Sequence, residues 1–76
     1  MSRKSYAKIE ARYIGEDGSM MLKLGRNYDL WTYFDDYEGS PMLWTEWICP
    51  VMGVKLHCPY RSLKTFLRNW IILRYY

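Results

Sequence analysis

Three side chains, Cys49, His57 and Cys58, are of the types that make nucleophiles, general bases and soft-metal ligands. Their spacing works against each use. A structural zinc site takes four ligands, commonly with closely spaced Cys pairs, and a Cys-x8-Cys pair with one adjacent His offers neither the count nor the spacing. Neighbouring residues of a strand point to opposite faces, so His57 and Cys58 cannot readily share a metal ion or act as a base–nucleophile pair. The two thiols are read instead as small buried hydrophobes, reduced in a cytoplasmic setting. Asp35-Asp36-Tyr37-Glu38 crowds three carboxylates together, but a hard cation needs about six or more oxygens in fixed geometry. A solvated loop is the default reading of that run, and an acidic recognition patch the second. Gly15, Gly18 and Gly25 are not followed by the Lys-Ser/Thr of a phosphate-binding loop. No catalytic residue, no metal and no cofactor are expected, and the protein is not read as an enzyme.

Aromatic side chains are the chemistry the chain has in surplus: four Trp, eight Tyr and two Phe among 76 residues. Tyr13, Trp31, Phe34, Trp47, Phe66 and Trp70 are assigned inward slots. Tyr6, Tyr33, Tyr37, Trp44, Tyr60, Tyr75 and Tyr76 are left as candidates for exposure, where Trp and Tyr dominate protein interfaces or stack nucleic-acid bases among cations. The charges are segregated. Asn27 to Val54 contains no Lys or Arg but holds Asp29, Asp35, Asp36, Glu38 and Glu46, whereas Lys55 to Tyr76 contains no acid but holds Lys55, Arg61, Lys64, Arg68 and Arg74. The net charge of +3 conceals that division, which bears on partners more than on fold.

Short strands must position these groups. Lys8–Ile14 alternates with Ile9, Ala11 and Tyr13 on one side. Gly15–Ser19 has turn chemistry and opens a long first loop. Tyr28–Phe34 is rich in aromatic and β-branched residues, and Asp35–Pro41 reads as a loop. Met42–Cys49 alternates, with Leu43, Thr45 and Trp47 on one face and Trp44, Glu46 and Ile48 on the other. Pro50–Gly53 turns, Val54–Cys58 alternates again and the strand pattern stops at Pro59. Leu63, Phe66, Leu67 and Trp70 then follow helical spacing, predicting a helix of about nine residues before a last strand, Ile71–Tyr75. The expected fold is therefore mainly β: a single domain over residues 1–76, with residues 1–6 a flexible extension. Its element order matches a small five-stranded Src-homology-3-like (SH3-like) barrel with one short helix before the last strand, and an open curled sheet is the second choice. A chain this small buries only about 60% of its unfolded surface, so its core must be efficient. No apolar run approaches the roughly 18 residues of a membrane span and no secretory h-region follows the basic start, so a cytoplasmic location is expected.

Ala11-Arg12-Tyr13-Ile14-Gly15, Leu22-Lys23-Leu24-Gly25-Arg26-Asn27-Tyr28-Asp29-Leu30 and Cys58-Pro59-Tyr60-Arg61-Ser62-Leu63-Lys64-Thr65-Phe66-Leu67-Arg68-Asn69-Trp70 together resemble a group of small bacteriophage and prophage proteins of short β-barrel type. The similarity spans Ala11 to Trp70, and each block also has a structural explanation as a strand, a glycine turn or a capped helix. The resemblance implies a phage accessory protein that binds and blunts a host system in the bacterial cytoplasm; it supplies no catalytic residue. The leading expectation is an inhibitor that occupies a host protein, such as a nucleic-acid-handling defence enzyme, through Trp31, Tyr33, Asp35, Asp36, Tyr37, Glu38 and Trp44. The alternative is a nucleic-acid-binding face made of Lys8, Arg12, Arg61, Lys64, Arg68 and Arg74, or the same face sequestering a nucleotide signal. A monomer or small homo-oligomer, with no membrane partner, is expected.

Overall fold

The computed structural model describes residues 6–76. Five antiparallel strands, β1 (Ala7–Tyr13), β2 (Asn27–Tyr37), β3 (Ser40–Ile48), β4 (Lys55–Tyr60) and β5 (Trp70–Tyr75), form one sheet in the order β4-β3-β2-β1-β5. A short 3₁₀ turn at Ser19–Met21 interrupts the first loop, and one helix, α1 (Leu63–Phe66), precedes the last strand. The mainly β reading and the neighbouring first and last strands hold. The ladder does not close into a barrel, because β4 and β5 remain its two edges.

The sheet nevertheless curls until its opposite ends meet around one side chain. Trp70 of β5 lies with its ring centroid 5.1 Å from Tyr13, 5.9 Å from Tyr28 and 6.3 Å from Trp47, one residue from each of β1, β2 and β3. Its Nε1 donates to the Tyr60 hydroxyl of β4 at 3.1 Å, and Phe66 of α1 stacks on it at 6.2 Å. Every strand and α1 therefore contribute to the Trp70 cluster, the first loop adds Leu22 to the same core, and the one polar atom of Trp70 is satisfied internally. Gly15 turns the chain against this cluster. A Cβ at that position would come within 2.6 Å of the Tyr13 hydroxyl and 2.8 Å of its ring; that hydroxyl donates to the Glu16 carbonyl at 2.7 Å.

Three boundaries differ from expectation. Asp35–Pro41 is not a loop. Ladder pairing runs through Asp35↔Met42, Asp36↔Pro41 and Tyr37↔Ser40, leaving a two-residue turn, Glu38-Gly39. Both turn residues have positive φ (50° and 82°), the geometry whose twist matches a β-hairpin. Pro59 does not end a strand but lies within β4, an edge strand, where its missing N–H can face away from the ladder. The helix lasts one turn, capped by the Ser62 hydroxyl, which accepts from Thr65 N at 3.3 Å. Of the predicted stripe only Phe66 is buried within it; Leu63 and Leu67 are exposed, and Trp70 opens β5 opposite Tyr13. So short a helix has little stability of its own, and the β-prone Ile71-Ile72 run captures Trp70 for the sheet.

Candidate protein-binding face

Alternation along β2 sorts the predicted site residues. Thr32 lies opposite Thr45, which is fully buried, so Thr32, Phe34 and Asp36 belong to the side that faces the core. Trp31, Tyr33, Asp35 and Tyr37 belong to the outer side, opposite Glu46, Trp44, Met42 and Ser40 of β3. Five of the seven expected residues, Trp31, Tyr33, Asp35, Tyr37 and Trp44, are thus brought together on one face. Asp36 points to the other side, its N–H donating to the Asp35 carboxylate at 2.9 Å, and Glu38 occupies the turn.

The outer face carries an aromatic layer of its own. Tyr6 packs on Tyr33 at 4.7 Å, Tyr37 meets Trp44 edge-on at 5.7 Å, and Trp44 lies 5.5 Å from the His57 ring of β4. Tyr33 is consequently buried, against the expectation that it is exposed. Tyr60 is buried too, through the core contact with Trp70. The inward assignments of Trp31 and Phe34 also fail. Trp31 is half-buried on the outer face, and Phe34 is 69% exposed although its cross-strand neighbour Leu43 is buried in the core. Tyr6 belongs to the outer layer, so the expected extension does not include it; Met1–Ser5 lie outside the described residues.

Polar groups tie this layer down. The Tyr33 hydroxyl donates to Glu46 Oε2 at 2.5 Å, and Glu46 Oε1 lies 3.5 Å from Lys55 Nζ. Burial and the neighbouring Glu46 carboxylate push the Tyr33 hydroxyl well above the ordinary tyrosine range. The Trp44 indole Nε1 is shielded from solvent without a hydrogen-bond partner among the described residues. A groove of about 400 Å³ bordered by Tyr6, Trp31, Glu46, Ile48 and Lys55 opens on one side of this layer. A second, of about 440 Å³, lies at the hairpin end between Tyr37, Glu38, Ser40, Pro41, Met42 and Arg61.

The basic residues do not form one face. Lys8 and Arg74 lie on the outer side of β1 and β5, where both are engaged. Lys8 Nζ sits 5.1 Å from the Trp31 ring and 5.0 Å from Tyr76, and Arg74 pairs with Glu10 at 3.1 Å. Arg12 donates to Asn27 at 3.1 Å. Arg61 instead borders the hairpin groove beside Glu38 and Tyr37; Lys64 follows in α1 and Arg68 just after it. Cys49 is buried, with its Sγ 3.6 Å from Met21 Sδ, and Cys58 is half-buried with its thiol pushed up by burial. That sulfur contact seats the first loop against the turn after β3. The acidic hairpin tip lies at the far end of β2, not at the same rim as the first loop. Among the described residues no group of three or more His, Cys, Asp or Glu could hold a metal ion, and no helix is long and apolar enough to cross a membrane.

Sequence reading missed Tyr6 as part of the site. Its parity with Lys8 and Glu10, opposite to the inward Ile9, Ala11 and Tyr13, was the signal for the outer face; the stack on Tyr33 follows from the β1–β2 register, which pairs Ala7 with Thr32. Compared with known proteins, the chain matches no family model, no curated protein and no solved structure.

Proposed function

We propose that the protein is a non-catalytic binding module that docks another protein on the outer face of β2 and β3. The observation that carries this reading is the alternation of Trp31, Tyr33, Asp35 and Tyr37 on one strand face, cross-strand from Trp44 and Glu46. Aromatic groups held on rigid strands and flanked by carboxylates have the composition of a binding hot spot with a charged rim. We read the module as a bacteriophage accessory protein of SH3-like plan that occupies a host protein in the cytoplasm. The partner class that suits its carboxylates is a defence enzyme with a basic, phosphate-binding surface. Direct nucleic-acid binding is less supported, since Lys8, Arg12 and Arg74 are separated from Arg61 and already contact Trp31, Asn27 and Glu10.

The test compares two triple variants of the tagged protein, Asp35→Lys/Asp36→Lys/Glu38→Lys and Arg61→Glu/Lys64→Glu/Arg68→Glu, with melting temperature as the folding control. Co-purification from host cells identifies the partner, and association kinetics are then measured at low and high salt. The acidic triple is expected to slow association, less so at high salt, while the basic triple changes it less. Loss confined to the basic triple, together with a shift of oligonucleotide mobility, replaces this reading with the nucleic-acid one.

A further inference from the structure

Surface turns are ordinarily built from Gly, Asn, Asp and Ser, and the two loops at one end of this sheet are not. Between β3 and β4 the chain runs Cys49-Pro50-Val51-Met52-Gly53-Val54 without one charged or amide side chain. Val51 is 72% and Met52 61% exposed there. In the first loop, Met20 and Met21 both take left-handed backbone, φ 49° and 62°, where Gly or Asn would be less strained. Both are exposed, and so is Leu24.

One sulfur joins the two loops. Cys49 Sγ donates to Met21 Sδ of the first loop at 3.6 Å and accepts from the Met52 N–H at 3.5 Å. Leu22 enters the core and anchors the first loop, while its neighbours Met20, Met21 and Leu24 stay outside. The core therefore gives no reason for large apolar side chains at these five positions, and an exposed apolar patch of this kind marks an interaction site. Neither groove described above is bordered by Met20, Met21, Val51 or Met52, so they offer tips rather than a hollow. A projecting apolar tip finds its complement most readily in a phase that yields around it. The two loops also hold no Trp or Tyr, the residues that enrich protein interfaces.

The charges around the tips are mainly positive. Arg12, Lys23, Arg26 and Arg68 are exposed at this end, the last placed there by Asn69, whose carbonyl accepts from Ile14 N at 2.8 Å. Against them stand Glu16 and Asp17, and the Asp17 carboxylate is taken up by the Leu24 N–H at 3.0 Å. Lys55 is matched by Glu46. The Glu38 turn lies at the far end of β2. Apolar tips in a basic surround complement an anionic lipid surface.

We propose that the first loop and the β3–β4 turn dock the protein on an anionic phospholipid bilayer. Met20, Met21, Val51 and Met52 enter the boundary between headgroups and acyl chains, and Lys23 and Arg26 meet lipid phosphates. The expected absence of a membrane partner followed from the lack of a spanning run, and a surface assembled from two loops needs none. This end of the molecule is separate from the aromatic outer face of β2 and β3.

Co-sedimentation of the full chain with vesicles tests the proposal. Vesicles of equal parts phosphatidylglycerol and phosphatidylcholine should retain the protein at low salt, and phosphatidylcholine alone should bind it about tenfold more weakly or less. Val51→Ser/Met52→Ser, in an exposed turn, should weaken retention by about tenfold while the melting temperature stays near that of wild type. Lys23→Gln/Arg26→Gln should weaken it comparably at low salt, with the difference narrowing at high salt. In Met52→Trp protein, lipids brominated in their acyl chains should quench fluorescence beyond the quenching of wild type, whose tryptophans all lie in strands. Absence of retention on either vesicle overturns the proposal. Retention indifferent to Val51→Ser/Met52→Ser, with no added quenching, overturns it too, as charge attraction alone. So does a Val51→Ser/Met52→Ser protein that loses a co-purifying host protein when wild type binds no vesicle, which assigns the loops to a protein partner.

Discussion

Truncating Trp70 to Ala is the most severe test of how this domain is held together. The side chain is 1% exposed, touches aromatic residues from β1, β2, β3 and α1, and donates its N–H to β4. Removing a buried Trp costs about 3–5 kcal/mol. For 76 residues at about 0.05–0.15 kcal/mol each, total stability is roughly 4–11 kcal/mol, so this single change consumes about a quarter of it or more. At about 4–8 °C per kcal/mol, the melting temperature should fall by at least about 12 °C. Tyr60→Phe isolates the polar part. It leaves the Trp70 N–H buried without a partner and should cost about 1–3 kcal/mol. In a Trp70→Phe background the same Tyr60→Phe change should cost less, since no donor is left to orphan, and the difference is the coupling between the two groups. Urea titrations followed by far-ultraviolet circular dichroism measure all four proteins of the cycle. Leu63→Ala and Leu67→Ala, half-exposed members of the predicted helical stripe, should each cost less than about 1 kcal/mol. A Trp70→Ala protein that melts within about 5 °C of wild type, or Leu63 and Leu67 variants as damaging as it is, would refute the hub role assigned to Trp70.

Three further outcomes can be checked. Glu38 occupies a left-handed turn position with φ 50°, so Glu38→Asn, which builds the favoured Asn-Gly turn, should raise stability by about 0.5–1 kcal/mol in urea titration. Burial raises the hydroxyl pKa of Tyr13, Tyr33 and Tyr60 above the ordinary value near 10. The unfolded chain therefore ionises first as pH climbs. The contribution of these residues is intact below about pH 10 and is lost above it, so the urea midpoint should drop between about pH 9 and pH 11, and a flat profile contradicts the burial. Both thiols should react slowly with a disulfide reagent in the folded protein and rapidly in urea, and Cys49→Ala/Cys58→Ala should retain partner binding; loss of binding with the fold intact reopens a redox or metal role.

The period-two patterns of Ile9-Ala11-Tyr13 and Leu43-Thr45-Trp47 were legible because each strand has one dry face and one wet one. Composition misled where both faces of a strand are tolerant. Asp35, Asp36, Ser40 and Pro41 look like loop residues, but on a hairpin that projects beyond the core they pay little for extended pairing, and only Glu38-Gly39 needs turn geometry. Trp31 and Phe34 are three residues apart on one strand, so alternation alone forbids both from facing the core; aromatic character overrode parity in assigning them there. The helical stripe misled for the reverse reason. Local spacing favoured a longer helix, while the long-range pairing of Tyr13 with Trp70 decided the outcome. The outer aromatic face was half legible: parity groups Trp31, Tyr33, Asp35 and Tyr37, but nothing local reveals that Tyr6 covers Tyr33.

The tight Glu38-Gly39 turn also bears on the order in which the chain assembles. The β2–β3 hairpin closes the smallest loop in the sheet and carries side-chain contacts on both faces, so it gains the most interaction for the least chain entropy. The β1–β5 seam joins residues near opposite ends of the chain, as in Ile9 with Tyr75, and its reward comes only after nearly the whole chain has been drawn together. Folding on this account nucleates at the hairpin and ends by seating Trp70, which acts as the lock of the last step rather than the seed of the first.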